Sequence, residues 1–238
     1  MDRVKQKTEI EILKKKADSG DVSSQLQLGD YYLNKDDCEE NYKEAFKWFM
    51  IAAEQGDARG ECAIGIMYEN SLGVEEDFNE AFKWYMKAAE KGDADGEWSI
   101  GNMYKDGLGV EQDYNEAFKW YMKVAEQGAS FGEYEIGNMY AEGLGVEQDY
   151  NEAVKWYKKA AEKESIGAQY RLAELYYKGK GVERNKLEAF EWYKKLADKN
   201  ICFGEFALEE YYGITDVSDE AKINEVRAKL LNPAEDEE

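Results

Sequence analysis

The chain has no histidine, one proline and only three cysteines in 238 residues. Without histidine there is no imidazole for general acid–base work, and a zinc site would have to be assembled from cysteines alone. Cys38, Cys62 and Cys202 are odd in number and unpaired in spacing. Neither a structural zinc nor a disulfide ladder is expected, and a reducing compartment is favoured. No segment approaches the roughly 20 apolar residues of a membrane helix. The start, from Met1 to Lys7, is polar and lacks the apolar run of a signal peptide. A cytoplasmic protein is the expectation. Cations are also scarce: 31 Lys and Arg stand against 52 Asp and Glu, a net charge of −21. Such a surface repels nucleic acid and anionic lipid and attracts a basic protein, a basic peptide or a cation. Solubility alone is the plainer reason for the acid. No loop is built to cradle phosphate, and carboxylate pairs on a lysine-rich helical surface carry no catalytic specificity. The sequence thus predicts no catalytic residue, no metal and no cofactor.

What the sequence does contain is a period. Trp48, Trp84, Trp120, Trp156 and Trp192 are each 36 residues apart. The nine residues from Asp77 to Tyr85 return from Asp113 to Tyr121, and again from Asp149 to Tyr157 with Val154 in place of Phe118. A fixed period of this size is the mark of a solenoid, in which each unit contacts mainly its neighbours.

Each unit reads as two helices. In the second, helix B, Ala81, Trp84, Tyr85, Ala88 and Ala89 follow the i, i+3, i+4, i+7, i+8 stripe of an amphipathic helix. Trp84 and its equivalents read as core, as do Tyr68, Tyr104 and Tyr140. Asp77 with Glu80, repeated at Asp113/Glu116 and Asp149/Glu152, has the spacing of a capping box, and Gly92 and Gly128 stop the helix. In the first helix, A, a small residue recurs at Gly29, Gly65, Gly101, Gly137 and Ala173. Glycine inside a helix costs about 1 kcal/mol against alanine, so its return predicts a close helix–helix backbone contact. Gly73, Gly109, Gly145 and Gly181 mark the A–B turn. The positions 36 residues from each cysteine are Val74, Trp98 and Ile166, so the three cysteines are expected to act as small core hydrophobes.

The stretch Ile100-Gly101-Asn102-Met103-Tyr104-Lys105-Asp106-Gly107-Leu108-Gly109-Val110, followed by Ala117-Phe118-Lys119-Trp120-Tyr121, resembles the Sel-one-like repeat family, a relative of the tetratricopeptide repeats. The resemblance implies an all-α, right-handed α/α superhelix with A helices on the concave face and B helices on the convex face. It also implies binding roles, as adaptors in signalling, in complex assembly or at the host–microbe interface. The paired cysteines of a cysteine-rich bacterial branch linked to penicillin-like compounds are absent. Three segments are expected: an N-terminal capping helix in residues 1–21, the repeat array in 22–213, about five full repeats and a partial one, and a C-terminal capping helix with an acidic tail in 214–238. Asp36-Asp37-Cys38-Glu39-Glu40 replaces the glycine turn of the first repeat, and residues 232–238 read as a frayed tail.

Positions that vary between units are free to serve a partner. On helix A these include Arg59, Asp95, Phe131 and Gly167, then Ala63, Ser99, Glu135 and Arg171, then Ile66, Asn102, Asn138 and Glu174. Trp98, Tyr134, Tyr170 and Phe206 lie beside them, with Cys62 the outlier. The candidate partner-binding residues are Trp98, Asn102, Phe131, Tyr134, Glu135, Asn138, Tyr170, Arg171 and Glu174. Aromatic and Arg side chains are the usual anchors of interfaces, and Asn can hold a peptide backbone by paired bonds. Asn102 and Asn138 also fit the carboxylate clamp that the tetratricopeptide relationship implies. Glu135 and Glu174 do not, which favours a basic or neutral segment over an acidic peptide end. The aromatics have an alternative use, closing helix A onto its neighbour. The leading function is a non-enzymatic protein–protein interaction module or adaptor. The second is a cytoplasmic inhibitor or immunity protein neutralising a basic toxin or effector, and the third, ranked last, is a hydrolase.

Overall fold

The computed structural model describes residues 2–35 and 38–231, with residues 2–7 as backbone only. The expected frayed tail and Asp36 and Asp37 of the reshaped first loop therefore fall outside the described residues, while Glu39 and Glu40 of that loop belong to a helix. The described residues form thirteen α-helices and no strand: α1 (Asp2–Asp18), α2 (Val22–Leu33), α3 (Glu39–Glu54), α4 (Ala58–Glu69), α5 (Phe78–Glu90), α6 (Ala94–Asp106), α7 (Tyr114–Glu126), α8 (Ser130–Glu142), α9 (Tyr150–Glu162), α10 (Ile166–Lys178), α11 (Lys186–Ala197), α12 (Cys202–Tyr212) and α13 (Glu220–Leu231). The chain divides into two compact units, residues 1–120 and 121–238. In the first, each helix from α1 to α6 packs on the next; in the second, α8 to α12 do the same. This is the sequential helix-pair packing of an all-α repeat array.

Local chemistry sets the helix starts. Asp77 Oδ1 accepts from the backbone N–H of Asn79 and Glu80 at 2.9 and 3.0 Å, and Asp113 and Asp149 repeat the arrangement. Only this half of the capping box forms. The Asp77, Asp113 and Asp149 N–H groups donate instead to the carbonyls of Tyr68, Tyr104 and Tyr140, at 3.2, 2.8 and 2.9 Å. Those bonds tie the end of helix A to the start of helix B. Glu80, Glu116 and Glu152, freed from the cap, each take the lysine three residues on at 2.5 Å.

The A–B turn needs glycine for two reasons at once. At Gly109 φ is +68°, and a Cβ there would lie 2.3 Å from the Phe78 carbonyl oxygen. The helix A glycine has another cause than the one expected. A Cβ at Gly65 would meet the Tyr85 ring at 2.5 Å, and one at Gly137 the Tyr157 ring at 2.6 Å. The position seats a ring, not a backbone. Close backbone approach occurs one turn earlier: a Cβ at Gly60 would stand 2.9 Å from Ala53 N, and one at Gly204 2.6 Å from Ala197 N.

The rings that fill the core are the tyrosines that follow the periodic tryptophans. Tyr85, Tyr121, Tyr157 and Tyr193 are fully buried, with Phe49 in the equivalent place. Trp84, Trp120, Trp156 and Trp192 are half-buried, and only Trp48 sinks into the core. Neighbouring stripe residues lie about 100° apart on a helix, so one of the pair must edge toward solvent. Lysine covers that edge: Lys87 Nζ is 3.4 Å from the Trp84 ring centroid and Lys159 Nζ 3.9 Å from that of Trp156. Tyr68, Tyr104 and Tyr140 are also half-buried, not core. Tyr68 and Tyr104 meet Phe46 and Phe82 edge-on at 5.6 and 5.7 Å. Of the cysteines, only Cys62 is buried; Cys38 precedes α3 and Cys202 opens α12, both exposed because helix ends stand clear of the stacked faces.

A second ladder links the two helices of a repeat. Glu61 and Glu133 are buried, and the lysine 30 residues on reaches each: Lys91 Nζ at 2.7 Å and Lys163 Nζ at 2.8 Å. The same lysines donate to the carbonyls of Gly56 and Gly128. In the first repeat Gln25 and Gln55 replace the pair and hydrogen-bond at 2.6 Å.

Candidate functional site

The variable helix A positions line a cleft in each unit. In residues 1–120 a cleft of about 400 Å³ is bounded by Arg59, Cys62, Ala63, Ile66, Trp98 and Ser99, with Glu69, Asp93 and Asp95 at its acidic side. Trp98 is half-buried there; Asn102, one helical turn further along α6, is also half-buried. The Cys62 thiol at the floor is pushed up to about 12 by burial and by Asp93 and Asp95. It is neutral and unreactive at ordinary pH.

In residues 121–238 a smaller cleft, about 170 Å³, is lined by Tyr150, Tyr157, Arg171, Glu174, Lys178 and Lys180, with Glu142 beside them. Arg171 is exposed and donates to Glu174 at 3.1 Å, while Lys178 reaches the other oxygen of Glu174 at 2.8 Å. Glu174 is thereby compensated on both sides. The acid that argued against an anionic partner contributes little net charge here.

The remaining candidates are half-buried on α8 and α10. Asn138 is committed within its repeat: its Oδ1 accepts from Tyr157 Oη at 2.7 Å, and its Nδ2 donates to Glu135 at 3.4 Å. Tyr134 lies 6.0 Å from the Tyr157 ring and crowds Gly167, where a Cβ would sit 2.9 Å from the Tyr134 ring. Tyr134 therefore does close α8 onto α10. Tyr170 packs on Tyr193 at 5.7 Å and on Phe203 at 5.9 Å. Phe131 is half-buried in the first turn of α8.

Two features go beyond the sequence reading, which set Phe206 beside the variable positions but not among the candidate contacts. Phe203 and Phe206 are the most exposed large apolar side chains of the array, at 60% and 61%. The 36-residue register pointed to both, since Phe203 follows Phe131 and Gly167, and Phe206 follows Tyr134 and Tyr170. The variable positions also serve the buried tyrosine of helix B. Tyr85 Oη donates to Glu69 at 2.5 Å and Tyr157 to Asn138, but Tyr193 Oη is buried with no hydrogen-bond partner among the described residues. Glu174, which could have served it, is held by Arg171 and Lys178.

No cluster of metal-ligating side chains occurs among the described residues, and no described helix is long and apolar enough to cross a membrane. The Sel1 repeat family matches residues 22–57, 58–93, 94–128, 130–165 and 166–201. The structure is similar to that of a protective antigen present in uropathogenic Escherichia coli strains that displays an SLR fold, with 37% identity and a TM-score of 0.77 over 92% of this chain and 48% of that one. The chain thus spans about half the length of that relative. It is also similar to a Sel1 repeat protein from Oxalobacter formigenes, with 32% identity and a TM-score of 0.76 over 90% and 88% of the two chains. An immunity protein from Pseudomonas aeruginosa shares the fold, with 18% identity and a TM-score of 0.58 over 88% and 81%. Among curated proteins, none matches the sequence. With five repeats matched in register and a like arrangement of helices in these relatives, the chain belongs to the Sel1 repeat family.

Proposed function

We propose that this protein is a non-enzymatic interaction module that binds a protein or peptide partner on the face formed by its A helices. The observation that carries the reading is a contrast between constant and variable positions. Residues repeated in most repeats, such as Tyr85 and its equivalents, the ring-seating small residue and the turn glycines, are each accounted for by packing. Residues that change from unit to unit, among them Ile66, Trp98, Arg171 and Glu174, line the clefts. Large aromatic and Arg side chains on preformed helices bind at low ordering cost. Each unit is taken by itself: in residues 1–120 the contacts are Trp98 and Asn102, and in residues 121–238 they are Phe131, Tyr134, Glu135, Tyr170, Arg171 and Glu174, with Asn138 acting through Tyr157 and Glu135. The partner is a basic or neutral segment, met in the cytoplasm.

The test is a pull-down comparing the wild type with Trp98→Ala/Tyr134→Ala/Arg171→Ala, its fold first checked by circular dichroism. A partner held by the wild type and lost by the folded variant supports the face; equal retention moves the site elsewhere. The net charge of −21 favours a second reading, a stoichiometric inhibitor of a basic protein. Association that slows steeply with added salt would distinguish it from the adaptor.

A further inference from the structure

The last A helix, α12, differs from every other in what it offers its own helix B. Position by position, α12 carries Glu205 where Glu61 and Glu133 stand, Phe206 where Tyr134 and Tyr170 stand, and Glu209 where Gly65, Gly137 and Ala173 stand. Elsewhere in the array these positions serve helix B: Glu61 and Glu133 take the lysine 30 residues on, Tyr134 and Tyr170 pack on the buried Tyr157 and Tyr193, and Gly65 and Gly137 seat the rings of Tyr85 and Tyr157. None of this is met at α12. The residue 30 positions after Glu205 is Glu235, an acid, and Glu205 makes no ion pair among the described residues. Glu209 puts a charged side chain where a ring would sit, so a helix of the repeat's own kind cannot close on it. The next helix, α13, packs along α11 instead, fastened by the two-pronged pair of Arg227 with Glu191 at 2.6 and 3.1 Å.

What remains is an open cleft of about 440 Å³. Its apolar wall is Phe206 with Ile214 and Val217, and its charged rim is Glu205, Glu209 and Asp216, with no cation among the lining residues. Solenoid ends are ordinarily closed by polar caps, which makes a 61%-exposed Phe on this one an anomaly. We propose that this edge of α12 docks a cationic amphipathic segment of a partner protein, one that presents Lys or Arg to Glu205 and Glu209 and an apolar side chain to Phe206. Charge decides between occupants. Two copies of this chain meeting through the same edge would bring three carboxylates against three, a repulsive arrangement, whereas a basic segment supplies the counter-charge that Lys91 and Lys163 supply inside the array. The proposal rests on the interaction-module reading but places the contact on a different surface.

The probe is a fluorescein-labelled amphipathic peptide of about fourteen residues made of Leu and Lys, read by fluorescence anisotropy at about 150 mM salt, where exposed charges are screened beyond about 8 Å. A second peptide of equal charge has Ser for Leu. Saturable binding of the Leu/Lys peptide is expected, weakened tenfold or more by Phe206→Ser, which leaves net charge unchanged, and likewise by Glu205→Gln/Glu209→Gln. Glu75→Gln/Glu76→Gln, an equal charge change in an exposed loop, should leave binding as it is, and the Ser peptide should bind at least tenfold more weakly. Absence of binding by the wild type, equal binding by Phe206→Ser, or an equal loss in the Glu75/Glu76 control would each overturn the proposal. So would a dimer, seen by sedimentation, that Phe206→Ser abolishes, since a second copy would then own the edge. Peptide binding lost in Tyr134→Ala/Arg171→Ala but kept in Phe206→Ser would overturn the proposal and leave the interaction-module reading standing.

Discussion

Four equivalent tyrosines, Tyr85, Tyr121, Tyr157 and Tyr193, are buried to the same extent, yet Tyr85, Tyr157 and Tyr193 should respond differently to loss of the hydroxyl. Tyr85 Oη donates to the Glu69 carboxylate at 2.5 Å, Tyr157 Oη to the Asn138 carbonyl at 2.7 Å, and Tyr193 Oη to no described group. A hydrogen bond to a charged group is worth about 1.5–3 kcal/mol net and a neutral one about 0.5–1.5 kcal/mol. Glu69 is half-buried and regains water when the bond is lost, so Tyr85→Phe should cost about 2 kcal/mol and Tyr157→Phe about 1 kcal/mol. Tyr193→Phe removes a hydroxyl whose burial without a partner costs about 1–3 kcal/mol, and should stabilise by about 1 kcal/mol. The spread of about 3 kcal/mol between the outer two, at a urea m value of about 2 kcal/mol/M, separates their midpoints by about 1.5 M. Urea unfolding followed at 222 nm reads this directly while m stays unchanged. Tyr193→Phe unfolding at lower urea than Tyr85→Phe, or three identical shifts, would refute the assignment of partners.

Further outcomes follow from the same packing. Gly109→Ala, strained in φ and driven into the Phe78 carbonyl, should lower stability by about 3 kcal/mol or more, whereas Gly92→Ala, with φ +78° but open space around it, should cost only the left-handed penalty of about 1–2 kcal/mol; thermal melts of the two compare them. Lys163→Ala leaves Glu133, 6% exposed, as a buried carboxylate without its cation and should cost about 1–3 kcal/mol, a loss that Glu133→Gln in the same chain should partly restore. Thiol titration of the native protein at pH 8 should count two fast cysteines, Cys38 and Cys202, and a third, Cys62, only on unfolding. Because burial holds the Cys62 thiol near 12, the unfolded chain ionises first as pH rises above about 9, so this thiol makes the fold less stable between pH 9 and 12.

The 36-residue spacing placed the helix pairs, the Asp77, Asp113 and Asp149 N-caps and the A–B turn glycines, and the motif residues from Ile100 to Tyr121 carried the family resemblance, because each of these depends on residues a few positions apart and recurs in several copies. The variable helix A positions were legible as well, since internal comparison separates what packing demands from what it leaves free. Tertiary structure decided what local spacing leaves degenerate. Trp84 and Tyr85 are neighbours on one apolar stripe, and only the approach of the adjacent helices made the tyrosine the core ring and the tryptophan a lysine-covered edge. The capping box closed by half because the Tyr68 carbonyl reached Asp77 N first, a bond between helices that a motif within one helix does not encode. Asn138, read as a partner contact, was drawn inward by Tyr157. Glu209 replaces a glycine four repeats on from Gly65, a visible break in the pattern. That the break turns α13 away and leaves Phe206 bare follows only from where α13 finds its partners, on α11.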